Sequence, residues 1–478
     1  MPSAVLKIVH GVGEEPKLRI VRSPPYDKYV ALSYCWGKGQ SIKATRSTIL
    51  ELTQNINFHE LPKTLQDAVT TTSELGCRFL WVDVLCIVQD DEIQIAKEIA
   101  LMAKIYESAY VTISAARSRS SDQGFLQDIV IPPPLAPVFQ FPFLVADSTP
   151  GSILCFTIDD GPEPIDTRAW AFQEFFLSRR IIRFGTLGVT WLCSYTQKRF
   201  DEEKLSMWNW DDETAILFSR TRINGTIIKS FPLWSGLVTE YTNRELSYPG
   251  DRVSAISGIA SKLGGQTHDS YIAGIWRHHL PRALMWAVVS SPKPRPSLYR
   301  APSWSWTSVN GGISEVIYGW IKVEPELEIL SFDREPVEAS APYGNLMSAS
   351  MTVRGWVRRL YWGNSSSTLI EKDHSQSGGS SVEDILAYTA ADAMEDASHT
   401  MLPVWCLQVC GFDSVEGPFG IILSEEDGNV FKRRGCFYQY SSRSDILKDR
   451  RPRATEEDSR ERNGTWKSRS EYRELVII

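Results

Sequence analysis

The stretch FLWVDVLCIVQDD, Phe79 to Asp91, continued by a helical pattern to Tyr106 and by YVTISA, Tyr110 to Ala115, decides the fold. FLWV (79–82) is an apolar run too short for a helix, bounded by Arg78 and Asp83, and it reads as a buried strand. Gln89-Asp90-Asp91 supplies a turn. From Glu92 the apolar residues Ile95, Ile99, Met102 and Tyr106 step by four, three and four, which places them on one stripe of a helix whose first turn is acidic. YVTISA then returns as a strand. Strand, helix, strand at this length is the signature of a parallel βαβ unit with a right-handed crossover.

The same pattern extends upstream. Tyr29 to Trp36 (YVALSYCW) is a β-favouring run that stops at Gly37-Lys38-Gly39. Pro62 then opens a helix in which Leu61, Leu65, Ala68 and Leu75 recur near helical spacing, with Gly76 as its stop. The first 120 or so residues therefore read as an α/β domain, a mainly parallel sheet flanked by helices. In such sheets ligands bind outside the carboxyl ends of the strands. Those ends carry Ser33, Tyr34, Cys35 and Trp36, then Asp83 and Cys86, then Ala115 to Arg117.

Downstream, residues 116 to 165 are rich in Ser, Pro and Gly and read as a long irregular connection with one strand near Ile153 to Ile158. RAWAFQEFFLSRR (168–180) places Trp170, Gln173, Glu174 and Leu177 on one helical face, followed by strands at Ile181 to Phe184 and Val189 to Leu192. A helical region is expected from Phe231 to about Trp286, with Phe231, Trp234, Leu237, Val238 and Tyr241 as one stripe. Beyond it, Trp304-Ser-Trp306, Val316 to Val323, Met351 to Tyr361 and Tyr472 to Ile478 favour strands, and Asn364 to Glu383 reads as a mobile Ser/Gly loop. The expected divisions are a lead-in (1–28), a core (29–195), a helical extension (196–310) and a β-rich C-terminal region (311–478).

Composition narrows the function. With 51 Lys plus Arg against 58 Asp plus Glu, the formal charge of -7 offers no basic surplus for nucleic acid or an anionic membrane. No window approaches the 18 or so uninterrupted apolar residues of a membrane span, and the N-terminus lacks a secretory pattern, so the cytoplasm is the expected address. Eight cysteines without a C-x-x-C pair read as reduced, buried thiols. His278-His279 and Cys406-x3-Cys410 lack further ligands at metal-site spacing, so no metal is expected, and no phosphate-loop motif is present. The 16 Trp, 17 Tyr and 19 Phe are the composition's unusual feature, because so many rings must be packed or must line a site.

Eight blocks, ALSYCWG (31–37), LPKTLQDAV (61–69), FLWVDVLCIVQDD (79–91), E-x3-M-x3-Y (98, 102, 106), R-x-W-x-x-QE-x-x-LS-x-R (168–180), DRVSAISGIA (251–260), AGIW (273–276) and APSWSW (301–306), resemble the fungal heterokaryon incompatibility (HET) domain family in order and spacing. The resemblance implies a fungal protein of nonself recognition and programmed cell death, acting with an incompatibility partner or by self-association. It departs from the family pattern at Val88, Ile95 and Ala171, where Asn, Trp and Thr are usual. The family's core is likened to TIR domains, which implies a TIR-like core here and, since some TIR domains cleave the nicotinamide-ribose bond with one glutamate, NAD as a candidate substrate rather than a cofactor.

Glu98 is then the candidate catalytic carboxylate. Cleavage of an N-glycosidic bond passes through an oxocarbenium-like state that a nearby carboxylate stabilises. On a helical wheel Glu98 lies about 40° from Met102, at the margin of the buried stripe; the competing assignment is an exposed glutamate paired with Lys97 or Lys104. Ser33, Tyr34, Trp36, Gly37, Asp83, Cys86 and Gln89 are candidate substrate contacts. Trp36 and Tyr34 offer ring faces, Asp83 a ribose hydrogen bond or a turn cap, and Cys86 a thiol with no nearby cation to activate it. Arg168, Trp170, Gln173 and Glu174 are expected to support the site from below as an Arg-to-carboxylate clamp. A non-enzymatic interaction module, or a degenerate member with neither activity, is the alternative function.

Overall fold

The structure, a computed structural model, describes residues 2–9, 15–24, 26–38, 42–129, 137–144, 150–155, 161–193, 197–199, 231–265, 269–289, 291–316, 323–338, 341–363, 368–371, 385–396, 402–412, 418–438 and 466–478. The chain divides into two compact units, residues 1–223 and 224–478.

The first unit is built on one eight-stranded sheet. Its strands, in chain order, are β1 (Ala4–Val9), β2 (Lys17–Arg22), β3 (Val30–Ser33), β4 (Phe79–Trp81), β5 (Val111–Ser114), then, after a separate two-stranded hairpin of β6 (Phe139–Leu144) and β7 (Pro150–Cys155), β8 (Arg180–Gly185), β9 (Gly188–Cys193) and β10 (Gln197–Arg199). The order across the sheet is β10-β9-β8-β5-β3-β4-β1-β2. Its centre is parallel, β4-β3-β5-β8, with pairs such as Val30 to Leu80 and Leu32 to Ile113. Its flanks are antiparallel, β1 against both β2 and β4 on one side and β8-β9-β10 on the other.

This corrects the expectation of a mainly parallel sheet: the sheet is mixed, with only the four central strands parallel. Within the segment read as a lead-in, residues 1–28, lie two strands. KLRIVR of β2 alternates exposed and buried residues, and β1 is buried from Ala4 to Leu6; the two strands pair antiparallel, and β1 covers the edge of β4.

The helices of this unit are α1 (Ile49–Gln54), α2 (Lys63–Glu74), α3 (Asp83–Cys86), α4 (Glu92–Ser108) and α5 (Ala169–Leu177). Asp91 caps α4 by accepting from the Gln94 N–H at 3.2 Å. The buried face of α4 is Glu98, Met102, Ile105 and Tyr106, so the stripe is turned away from Ile95 and Ile99, which are only half-buried. Nearly the whole of α5 is buried, Trp170 being half-buried and Phe175 intermediate. The connection 116–165 contains the β6–β7 hairpin, so the strand expected at Ile153 to Ile158 begins earlier and is paired; residues 156–160 lie outside the described residues.

The second unit begins with two helices, α6 (Phe231–Thr242) and α7 (Ser254–Gly264), and short strand pairs of β11 (Tyr271–Ile272) with β12 (Ile275–Trp276) and β13 (Trp286–Val288) with β14 (Ile313–Glu315). Beyond Gly264 the expected helical extension holds, among the described residues, only short 3-10 turns and these strand pairs. The remaining strands are β15 (Val323–Pro325), β16 (Glu328–Pro336), β17 (Leu346–Gly363), β18 (Thr368–Ile370), β19 (Ile385–Ala391), β20 (Leu402–Phe412), β21 (Phe419–Asp427), β22 (Val430–Tyr438) and β23 (Glu471–Ile477). Pairing runs β17-β18-β19-β22-β21-β20 and returns from β20 to β17, which closes the ring into a six-stranded antiparallel barrel.

Leu360, Trp362, Leu369, Val404, Cys406, Ile422 and Phe437 form a buried cluster contributed by those strands. β18 falls inside the tract read as a mobile loop; residues 364–367 and 372–383 of that tract, like 317–322 of the expected strand at Val316 to Val323, lie outside the described residues.

Much of the aromatic surplus is spent in this unit. Trp234 and Trp306 both donate their indole N–H to the Gly274 carbonyl, at 3.1 and 2.9 Å, and Trp276 packs against Trp234 and Tyr271 with ring centroids 5.7 and 4.9 Å away. Gly274 has φ +89°, and a Cβ there would stand 2.7 Å from the Trp306 ring, so the close approach requires glycine. Arg433 on β22 is fully buried, bonds the carbonyls of Leu284 and Trp286 and pairs with Asp392 at 2.8 Å, tying the barrel to the segment before residue 310.

Candidate active site

β3, β4 and β5 end side by side, and the chain leaves β3 toward β4 on one flank and reaches β5 on the other through α4. The carboxyl ends of β3 and β5 are therefore where successive connections diverge, the position at which open α/β sheets form a crevice.

Six side chains meet there. Ser33, the last residue of β3, donates its hydroxyl to Glu174 Oε2 at 2.5 Å. The Trp36 indole N–H donates to Asp83 Oδ2 at 3.0 Å, and Asp83 Oδ1 accepts the N–H of Val84 at 2.7 Å, as a residue opening a short helix does. Arg168, just ahead of α5, donates to the Tyr34 carbonyl. Its guanidinium feels the charges of both Glu174 and Asp83, which hold its proton more tightly against the opposing effect of burial. Tyr106 reaches in from α4, donating to the Leu32 carbonyl at 3.0 Å while its hydroxyl lies close enough to Glu174 to interact with it.

Burial sets the electrostatics. Glu174 is pushed up to about 7 by desolvation, against the opposing pull of Arg168 and the Ser33 hydrogen bond. Asp83 is also raised by burial, with Arg168, the Val84 N–H and Trp36 working the other way. The Tyr34 hydroxyl is driven well above its ordinary value by burial first and by Asp83 second. One cation thus serves two buried carboxyls, and a proton on Glu174 near neutrality balances the cluster. Trp36, Asp83, Arg168 and Trp170 are half-buried, so the cluster has a solvent edge, while Ser33, Tyr34 and Glu174 lie behind it.

The family model described as heterokaryon incompatibility protein (HET) matches residues 29–174. The chain carries a HET domain. No curated protein and no solved structure matches the chain. The match covers under a third of the chain and describes that segment rather than the whole protein.

Within the matched residues, the predicted side chains differ in what they do. Ser33, Tyr34, Trp36, Asp83, Arg168 and Glu174 are joined by hydrogen bonds or charge, as described. Gly37 lies at the exposed rim with φ +78°, and Gln89 spends its amide N–H on the carbonyls of Asp83 and Ile87 at 3.1 and 3.0 Å, bracing the α3 turn. Cys86 is buried, accepts the Val82 N–H at 3.5 Å, and has its thiol pushed up to about 12 by burial, which makes it a packing residue. Trp170 and Gln173 sit on α5, half-buried and buried.

Glu98 stands apart. It is 2% exposed, and its Oε2 has no hydrogen-bond partner among the described residues. Its charge acts on the Cys86 thiol, as does that of Asp83. The exposed-glutamate assignment is therefore overturned.

The departures from the family pattern are accommodated as apolar packing: Val88 is buried, and Ala171 joins Cys35, Ala116 and Ile165 in a small core. Sequence reasoning missed Tyr106 as a polar participant, although its place four residues after Met102 put it on the right face. It also missed Arg183, whose guanidinium grips Asp166 at 2.6 and 3.2 Å beside the small cavity that Ser33 helps to line. Among the described residues no group of three His, Cys, Asp or Glu side chains could hold a metal, and no helix is long and apolar enough to cross a membrane.

Proposed function

We propose that this heterokaryon incompatibility protein is a cell-death effector whose HET domain hydrolyses the nicotinamide-ribose bond of NAD, with Glu98 as the carboxylate that stabilises the oxocarbenium-like state. The bond from nicotinamide nitrogen to ribose C1′ breaks, water adds to C1′, and nicotinamide, ADP-ribose and a proton are released.

The observation that carries this reading is Glu98 itself: a carboxyl 2% exposed with one oxygen lacking a hydrogen bond among the described residues. A buried acceptor left unpaired costs about 1–3 kcal/mol and calls for an explanation beyond packing. A positively charged ribose in the transition state is a partner of the right sign. The half-buried edge of Trp36 and Asp83 suits a flat ring and a ribose hydroxyl. Because Glu98 is closed off, turnover requires a movement of α4, and activation by self-association or by a partner supplies it.

The test is nicotinamide release by the purified chain, dilute and then concentrated or crosslinked, beside Glu98→Ala checked for an unchanged melting curve. Release that rises with association and disappears in the variant supports the proposal. If wild-type chain kills cells while NAD stays intact, the enzyme reading is wrong.

A second reading, a docking module without catalysis, is favoured by the β6–β7 hairpin, where Val138, Phe139 and Phe141 are 47%, 61% and 52% exposed. It predicts that killing survives Glu98→Ala and is lost in Phe139→Ser/Phe141→Ser.

A further inference from the structure

The loops that follow β3 and β5 are laced together at the rim of the crevice. The Ser121 N–H donates to the Trp36 carbonyl at 3.3 Å, and Gly37 packs so closely on Ser120 that a Cβ at position 37 would stand 2.5 Å from the Ser120 Cβ. That approach, with φ +78°, explains why the residue after Trp36 is glycine.

The Arg119 loop is held from beneath, the Arg119 N–H donating to Gln123 Oε1 at 2.7 Å and Thr64 pairing with Ser121 at 2.8 Å. The lacing sets Lys38, next to Gly37, and Arg119, next to Ser120, on the same rim. Both are exposed, and neither makes a side-chain hydrogen bond or ion pair among the described residues. Arg119 is near enough to the site that its charge acts on the Cys35 thiol together with that of Arg168.

Ser121 adds a buried hydroxyl without a partner among the described residues. Of the other acids here, Glu163 is engaged by Thr186 at 2.5 Å and Asp166 by Arg183, so Asp122 is the one exposed acid of the loop set against two positive charges.

We propose that Lys38 and Arg119 form a subsite for the diphosphate of a dinucleotide, so that the HET crevice selects a substrate with a phosphate bridge over a bare nucleoside. The inference rests on the NAD reading for its substrate and adds the recognition element that reading lacks. Trp36, Asp83 and the rim lie together at one edge of the crevice, where one extended ligand carrying a ring, a ribose and an anionic group reaches all three. Two exposed cations on backbone-laced loops, beside a half-buried aromatic edge, suit a multiply charged oxyanion, which accepts several charge-assisted hydrogen bonds at once.

The experiment is calorimetric titration of the full-length chain with ADP-ribose, which binds without turnover, alongside NAD and nicotinamide riboside in turnover assays. Lys38→Ala/Arg119→Ala is expected to weaken ADP-ribose binding about tenfold or more, with a strong salt dependence in wild type that the variant loses. Both side chains are exposed, so the variant's melting curve stays that of wild type. Unchanged affinity in the variant overturns the subsite, as does a wild-type chain that does not bind ADP-ribose. Arg119-dependent binding without NAD cleavage by the associated chain upholds the subsite and removes the glycohydrolase reading. Cleavage of nicotinamide riboside as readily as NAD does the reverse.

Discussion

The Ser33 hydroxyl lies 2.5 Å from Glu174 Oε2, so the last residue of β3 and the middle of α5 share one short hydrogen bond inside the site. That bond, the Arg168 guanidinium and the Tyr106 hydroxyl all favour an ionised Glu174, yet burial outweighs them and its carboxyl is pushed up to about 7. An unfolded glutamate loses its proton near 4.5. Between those values the folded chain keeps a proton that the unfolded chain has released. The resulting stabilisation is complete below about 4.5 and is lost as pH rises through about 7. Stability of the first unit is expected to fall over that window, by on the order of 3 kcal/mol, and Glu174→Gln to flatten the slope. Urea titrations across pH decide the matter; equal slopes in the two proteins would refute it.

Among the described residues, Arg168 is the cation whose charge acts on both Asp83 and Glu174, and it also bonds the Tyr34 carbonyl. Arg168→Ala is expected to cost about 3–5 kcal/mol, since removing one member of a buried ionic group leaves the others uncompensated. Arg168→Lys should recover only part, because an ammonium cannot serve the carbonyl and two carboxyls with one planar fork. Denaturant midpoints of the three proteins order the outcome.

Glu98→Met tests whether an unpaired buried acid is kept for function. Replacing it with a flexible apolar side chain should raise stability by about 1–3 kcal/mol, read as a higher melting temperature. A lower melting temperature would mean that Glu98 has a stabilising partner and would remove the argument for its catalytic use.

In the second unit, Gly274→Ala combines a left-handed backbone with a Cβ 2.7 Å from the Trp306 ring. A loss of about 2 kcal/mol or more is expected from backbone strain and overpacking. Near-ultraviolet circular dichroism should show the Trp234, Trp276 and Trp306 environment changing with it.

The parallel centre of the sheet was legible because each of its strands is a short apolar run followed by a helical period or a turn, signals that are local in sequence. The antiparallel flanks were not. β1 and β2 become strands by pairing with each other and with β4, and nothing local distinguishes an edge hairpin from an extended leader; the alternation in KLRIVR was the one available cue. For the site, strand ends gave Ser33, Trp36 and Asp83, and the clustered charges of 168–174 gave Arg168 and Glu174. The burial of Glu98 was only marginal on a helical wheel. The wheel gave the angle of the side chain but not the packing of α5 against α4, so Ile95 and Ile99 seemed better buried than they are. Closure of the barrel by β20 on β17, from Val357 with Leu407 to Trp362 with Leu402, is a contact between residues far apart in the chain, beyond the reach of any periodicity.

The hairpin of β1 and β2 carries a practical consequence for anyone isolating the HET domain. A fragment cut to the matched residues 29–174 would lose β1 and β2 from one side of the sheet and β8, β9 and β10 from the other. What is left is a three-stranded ribbon with two bare margins, each a row of unsatisfied amides ready to recruit a neighbour. Insolubility of such a fragment would say nothing about toxicity or self-association in the intact chain; the evolutionary unit is shorter at both ends than the unit that folds.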